Sequence, residues 1–263
     1  MLFLLAGLYS FDFYEVSQER YPSWLFYPSG VDTPFVSFSW SSRFGMEQEF
    51  SLSYFNIFDE LATGFSGDVL YSGPVPVFPY LEEGDTATGE PVMTFSDVAL
   101  LLTLNFSYPF TDELRGGINL KIYREGAFGY TGSGAGIDLG IGYRFVHISM
   151  RDVFRTRIVW GDHVDVIERA YGILFSPSFS FGENTLIPSL SIEKKYGFFY
   201  LFSLEYIYHE IFGVNLSVSG YGFSFEGALH LKSLSLSYLY TSLDAGGIHK
   251  IELKWKMGGE YEP

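Results

Sequence analysis

Val98-Ala-Leu100-Leu-Leu102-Thr-Leu104-Asn-Phe106 decides the fold. Its even positions are all large and apolar, and its odd positions drift to Thr103, Asn105 and then Ser107. A β-strand sends successive side chains to opposite faces, so this segment has one greasy face and one polar face. It is also the longest apolar stretch inside the chain, and Thr103 and Asn105 already interrupt it. A helical membrane span needs about 20 mostly apolar residues in a row, so no such helix is expected.

The same period of two recurs along the chain. Ile118, Leu120 and Ile122 alternate with Asn119, Lys121 and Tyr123. Ile137, Leu139, Ile141, Tyr143 and Phe145 alternate with Asp138, Gly140, Gly142 and Arg144. Val214, Leu216 and Val218 alternate with Asn215, Ser217 and Ser219. Leu234, Leu236, Tyr238 and Tyr240 do so with Ser233, Ser235, Ser237 and Leu239. About 14 segments of this kind can be marked between residues 35 and 257, most of roughly 9–11 residues, the length a tilted strand needs to cross a bilayer. The pattern predicts an all-β fold: a transmembrane, antiparallel, up-and-down β-barrel of about 14 strands.

Composition agrees. Phe (27), Tyr (20) and Trp (4) make up 19% of 263 residues, and charged residues only 18%. That excludes a disordered chain. The absence of Cys excludes disulfides and thiolate metal sites. A formal net charge of −15 argues against nucleic acid as a partner; exposed loops and turns are expected to carry the acidic excess.

Aromatic order separates a membrane barrel from a soluble β-sandwich, which would also alternate. The greasy face of 198–208 reads Phe198, Tyr200, Phe202, Leu204, Tyr206, Tyr208, with Tyr toward both ends. Such placement suits aromatic girdles at two membrane interfaces. The lipid-facing girdle expected is Tyr143, Tyr200, Tyr206, Tyr208, Tyr238, Tyr240 and Trp255.

Turns give a second line of reasoning. With a periplasmic N-terminus, odd-numbered turns face outward and should be longer. Residues 73–95, 126–132 and 153–168 are the long turns expected, against tight even turns such as Gly182-Glu-Asn184. Pro177 and Pro188 sit awkwardly in the eighth and ninth strands, because proline cannot donate to a ladder; a shared local bulge would accommodate both. Leu2–Tyr9 reads as the apolar part of a truncated signal peptide over residues 1–10. A single barrel domain, 11–263, then begins with a short segment, 11–34.

With this pattern in hand, the sequence resembles the FadL-type outer-membrane barrels, and most closely their short relatives in the PorV/PorQ group. Tyr27-Pro-Ser-Gly30 sits where that group carries Asn-Pro-Ala-Gly. Gly67-Asp-Val-Leu-Tyr71 resembles its third hairpin. Gly117-Ile-Asn-Leu-Lys121 followed by Gly136-Ile-Asp-Leu-Gly140 resembles its repeated pairing of a glycine–lysine strand with an Asp-Leu-Gly strand. Leu243-Asp-Ala-Gly-Gly-Ile-His249 resembles its final turn. The resemblance implies a bacterial outer-membrane location and membrane lipid as surroundings. It also implies one of two roles: passive transport of a small hydrophobic or amphipathic solute, or an accessory anchor for secretion-system proteins.

The inward face is where a solute path would run. Asn119, Lys121, Asp138, Arg144, Glu205, His209, Glu226 and His230 are its candidate residues, with Asn105, Asn215, Lys250, Glu252, Lys254 and Lys256 beside them. Mixed charges inside a barrel serve equally as a packed salt-bridge network or a wet lining. No enzyme, cofactor or metal site is expected. Gly132-Ser-Gly-Ala-Gly136 has the wrong spacing for a nucleophile elbow, His209-Glu210 lacks a second His four residues on, and the acidic loop Glu82–Glu90 lacks EF-hand spacing. An outer-membrane hydrolase would require a Ser–His pair within hydrogen-bond reach near the outer rim.

Overall fold

The computed structural model describes residues 34–43, 47–77, 93–127, 129–220, 222–243 and 246–257. The expected signal segment, the Tyr27–Gly30 motif, the acidic loop and part of the final-turn motif fall outside the described residues. Every regular element described is a strand. The first six are β1 (Phe35–Arg43), β2 (Glu47–Phe58), β3 (Leu61–Val77), β4 (Met93–Pro109), β5 (Leu114–Ala127) and β6 (Tyr130–Tyr143). A more broken region follows: β7 (Val146–Arg151), β8 (Arg157–Trp160), β9 (His163–Val166), β10 (Ala170–Phe175) and β11 (Phe179–Phe181). Six regular strands complete the chain: β12 (Asn184–Lys194), β13 (Phe198–Tyr208), β14 (Phe212–Ser219), β15 (Gly222–Leu231), β16 (Leu234–Leu243) and β17 (Gly246–Lys256).

Neighbours pair antiparallel in chain order, and β1 pairs with β17 from Phe35↔Lys256 to Arg43↔Ile248, which closes the sheet. The closed circuit runs β1 to β7, then β10, then β12 to β17, a barrel of 14 strands. β11 continues β10. Phe175 faces Leu190 and Phe179 faces Leu186, so Pro177 falls opposite Pro188. Neither can donate, and the ladder lapses between them without a change of register. The expected bulge is therefore absent: two facing prolines leave a gap, not an inserted residue.

The real irregularity lies next door. β6 pairs with β7 up to Leu139↔Met150 and resumes with β8 at Ala135↔Arg157. The partner chain thus spends seven residue steps where β6 spends four, and the three extra residues fall within Asp152–Thr156, a turn that buries Asp152 and Thr156 and leaves Phe154 exposed. Residues 153–168, expected as a long loop, are mostly the β8–β9 hairpin, and within the turn expected over 126–132 β5 already runs to Ala127 and β6 already starts at Tyr130. The expected loop 73–95 is shorter too, since β3 reaches Val77 and β4 starts at Met93.

Burial is inverted relative to a water-soluble domain. Asp68, Asn105, Asn119 and Asp138 have no exposure, whereas Leu104, Ile118 and Leu139 are more than 40% exposed. The apolar face of each strand points away from the barrel and the polar face points in. At the rim that carries both ends of the ring, connections such as 59–60, 144–145 and 232–233 are tight. Asp59, Arg144 and Lys232 take left-handed backbone angles there, as two-residue hairpins demand.

Gly132, Gly134 and Gly136 explain how β8 is accommodated. A side chain at Gly134 would run into the carbonyl of Arg157, one at Gly132 into the Trp160 ring, and one at Gly136 into Thr156. Replacing Gly134 with Val is expected to lift β8 from β6 and cost about 1–3 kcal/mol through overpacking. Trypsin cleavage after Arg155 or Arg157 should accelerate, while Gly227→Ala, where the added carbon meets only ordinary contact, should leave digestion unchanged.

Candidate functional site

Two groups of inward side chains stand out. The first is a buried knot on β4 to β7. Lys121 Nζ lies 2.6 Å from Asp138 and 2.9 Å from Asp152. The backbone N–H of Asp152 donates to Asp138 Oδ1 at 2.9 Å, and Thr156 donates to Asp152 at 2.7 Å. Asn105 donates to Asn119 at 2.7 Å, and Asn119 reaches Asp138 at 3.5 Å. Beside them Arg151 pairs with Glu193, so the ion pair reaches from β7 across β10 to β12. Buried charges are tolerable only when paired and hydrogen-bonded, and these carboxylates receive several donors each. The motif Gly117–Lys121 with Gly136–Gly140 is the cross-strand frame of this knot: Lys121 faces Gly136, Asn119 faces Asp138 and Gly117 faces Gly140. The missing side chain at Gly136 is what admits Thr156 and Asp152.

A neighbouring stretch of wall is lined by serines. Ser51 and Ser66 both donate to the buried Asp68 carboxylate, and Ser53 donates to Ser66 at 3.2 Å.

The second group lines a cavity of about 740 Å³ inside β12 to β17 and β1. Glu205, Asn215 and Glu226 stand in one cross-strand row, which continues through Leu239 to Lys250. His230, Ser235 and Lys254 form a row nearer the rim that holds Lys256. Lys254 Nζ sits 4.1 Å from the centre of the Phe35 ring, and Lys250 bonds Glu252 at 2.9 Å. Phe35, Ile207 and Ala228 give the same cavity apolar wall. His230 Nδ1 is 2.8 Å from the Ser235 hydroxyl. Lys254 stands in the same cross-strand row, and the pair lies near the rim that holds Lys256 and the chain ends, not the opposite rim.

The structure divides the sequence-derived candidates. Asn119, Lys121 and Asp138 meet in the knot, and Glu205, Glu226 and His230 meet in the cavity. Arg144 and His209 leave the lumen. Arg144 is in a rim turn, 2.5 Å from Glu113, whose carboxyl its guanidinium holds below the usual carboxylate range. His209 also sits in a turn, with positive φ, paired with Glu183. Strict alternation carries each of them inward on paper, but both strands end one residue earlier. Of the expected girdle, Tyr143, Tyr200, Tyr206, Tyr208, Tyr238 and Trp255 are exposed on the outer face, and Tyr240 is half-buried there. Sequence reasoning missed Asp68, Asp152, Thr156 and the Arg151–Glu193 pair. Only the lapse of alternation through Asp152-Val-Phe154-Arg-Thr156 hinted at the inward turn.

The closed barrel has structural neighbours among solved outer-membrane proteins. The toluene transporter TodX of Pseudomonas putida superimposes with a TM-score of 0.55 at 11% identity, covering 87% of this chain and 90% of that one. The fold is that of the FadL/TodX-type outer-membrane barrels. A FadL homologue of Pseudomonas aeruginosa gives 0.55 at 8% identity, covering 88% and 92%. A TodX variant described as a monoaromatic hydrocarbon channel gives 0.55 at 9%, covering 87% and 91%. No protein-family model matches the sequence, and no curated protein matches it. The FadL-type fold fixes the frame; the inner residues of this chain set its chemistry.

Lys121→Met would strand Asp138 and Asp152 without their cation. A loss of about 3–5 kcal/mol is expected from breaking a buried pair on one side, read as a lower urea midpoint of the reconstituted barrel. Asp138→Asn in the same chain should recover part of it. Arg144→Ala, at an exposed pair, should leave the midpoint in place.

Proposed function

We propose that the chain is an integral barrel of a bacterial outer membrane that passes a small amphipathic solute through its lumen. The observation that carries the reading is the cavity, walled by Phe35, Ile207 and Ala228 on the one hand and by Glu205, Glu226 and Lys254 on the other. A purely apolar solute would leave those charges desolvated without partners, which is costly. A solute with an apolar body and charged groups would meet both kinds of wall. The outward apolar band gives the barrel its place in lipid, and the likeness to TodX and the FadL homologue supports a transport role.

A second reading, an anchor barrel in a secretion or assembly machine, is favoured by one feature. Among the described residues no strand pairs with the outer edge of β9, where Val164 and Val166 are exposed. An unpaired edge of this kind can accept a partner strand.

Liposome swelling with the full chain separates the two. Phenylalanine, an impermeant amphipathic zwitterion, is expected to enter faster than a sugar of similar size. Changing Glu205 and Glu226 together to Lys should slow that entry and move the reversal potential of the conductance toward anions, as a reversed lining charge would. The absence of both swelling and conductance in a correctly inserted barrel would overturn transport and leave the anchor role.

A further inference from the structure

The outer wall carries a trough of about 460 Å³ across β6, β7, β10 and β12. Its floor is a row of four isoleucines in direct cross-strand register. Ile141 faces Ile148, Ile148 faces Ile173, and Ile173 faces Ile192. All four are exposed on the lipid side. β-branched side chains held in such a row are stiff, so the trough is a formed feature, not a rearranging surface.

One pairing step toward the opposite rim from the chain ends, a second row runs Met150, Tyr171, Lys194 and Phe198. Lys194 is exposed, its Nζ 5.6 Å from the centre of the Phe198 ring, and Tyr171 stands beside it. None of the residues lining the trough is acidic. That is notable in a chain of net charge −15, which as a whole repels anionic headgroups. Lysine on a lipid-facing wall is expensive unless its ammonium meets the headgroup layer.

The geometry points to a binding site for a single anionic phospholipid. One acyl chain lies along the isoleucine row, and the phosphate meets Lys194 with the Tyr171 hydroxyl within reach of its oxygens. The bilayer would thus be held to the stretch of wall next to the luminal cavity, with which the trough shares β12, and this lipid would stay longer than its neighbours. The inference rests on the membrane reading above, and its test keeps the two apart.

Native mass spectrometry of the full chain, released from micelles doped equally with phosphatidylglycerol and with diacylglycerol of the same chains, reads the site directly. One retained phosphatidylglycerol is expected, preferred by about fivefold, the factor that one lysine near an anionic lipid surface carries. Lys194→Glu should abolish the preference. Ile173→Trp, which fills the trough, should reduce retention of both lipids. Lys232→Glu, the same charge change in a turn at the other rim, should leave retention as it is, and heat-dependent gel mobility reports whether each variant is folded. Equal retention of the two lipids, or a preference that survives Lys194→Glu, overturns the site. Flotation with liposomes is the separate readout: a chain that floats but retains no lipid refutes the site alone, and one that does not float refutes the membrane reading.

Discussion

Everything else in this barrel depends on the hydrogen-bonded join between β1 and β17. Without it the sheet would present two long edges of unpaired N–H and C=O groups. In water such edges recruit other strands; in hydrocarbon each orphan group costs several kcal/mol. Closure removes the problem, and only then can the outer face be apolar around the whole circumference. It also creates an enclosed inner face, where small and polar side chains must pack. The serines of β1 follow from this. Ser37, Ser39 and Ser41 are buried in the lumen while Phe38 and Trp40 face outward.

An enclosed polar interior imposes a second condition: its charges must be matched. The barrel meets it by saturating one side. Lys121, Asp138, Asp152, Arg151 and Glu193 are held by one another and by backbone or hydroxyl donors, in a network that spans four strands. Such a network stiffens the wall only because it is complete. The inward turn at Asp152–Thr156 therefore acts as a structural member. It supplies a carboxylate, a backbone N–H and a hydroxyl where β6, reduced to glycine at three inner positions, has nothing to offer.

Much of this was legible in the residues. Period-two alternation located all 14 strands of the ring within a few residues, because a lipid-facing and a lumen-facing surface impose opposite polarities on consecutive positions. The resemblance of Gly117–Lys121 and Gly136–Gly140 to a family pairing proved to mark two strands that do pair, with Lys121 bonded to Asp138. What stayed hidden were departures from the period. Alternation says which face a residue takes while the strand lasts, not where it stops, so Arg144 and His209 were carried inward although their turns release them. Nor does it register that three surplus residues bring Asp152 and Thr156 into the knot, since in sequence Asp152–Thr156 resembles an ordinary polar loop. The prolines misled for a related reason: each alone argues against a strand, and only their facing positions make the gap harmless.

The two halves of the lumen thus differ in kind. On β5 to β7 and the turn after it, Lys121, Asp138, Arg151 and Asp152 are consumed by the fold, each held by partners that leave little role for a guest. On β12 to β17 Glu205, Glu226 and Lys254 line an open cavity beside bare apolar wall. A charge already saturated gains little from a passing solute, whereas one facing open space can exchange water for a ligand group. The same asymmetry shows in wall height: β3 and β4 have 17 residues each, and β14 has eight. The tall wall is braced from inside by the knot, and the low wall keeps its inner face free. Rigidity on one side is what lets the other side remain open without the ring collapsing onto it.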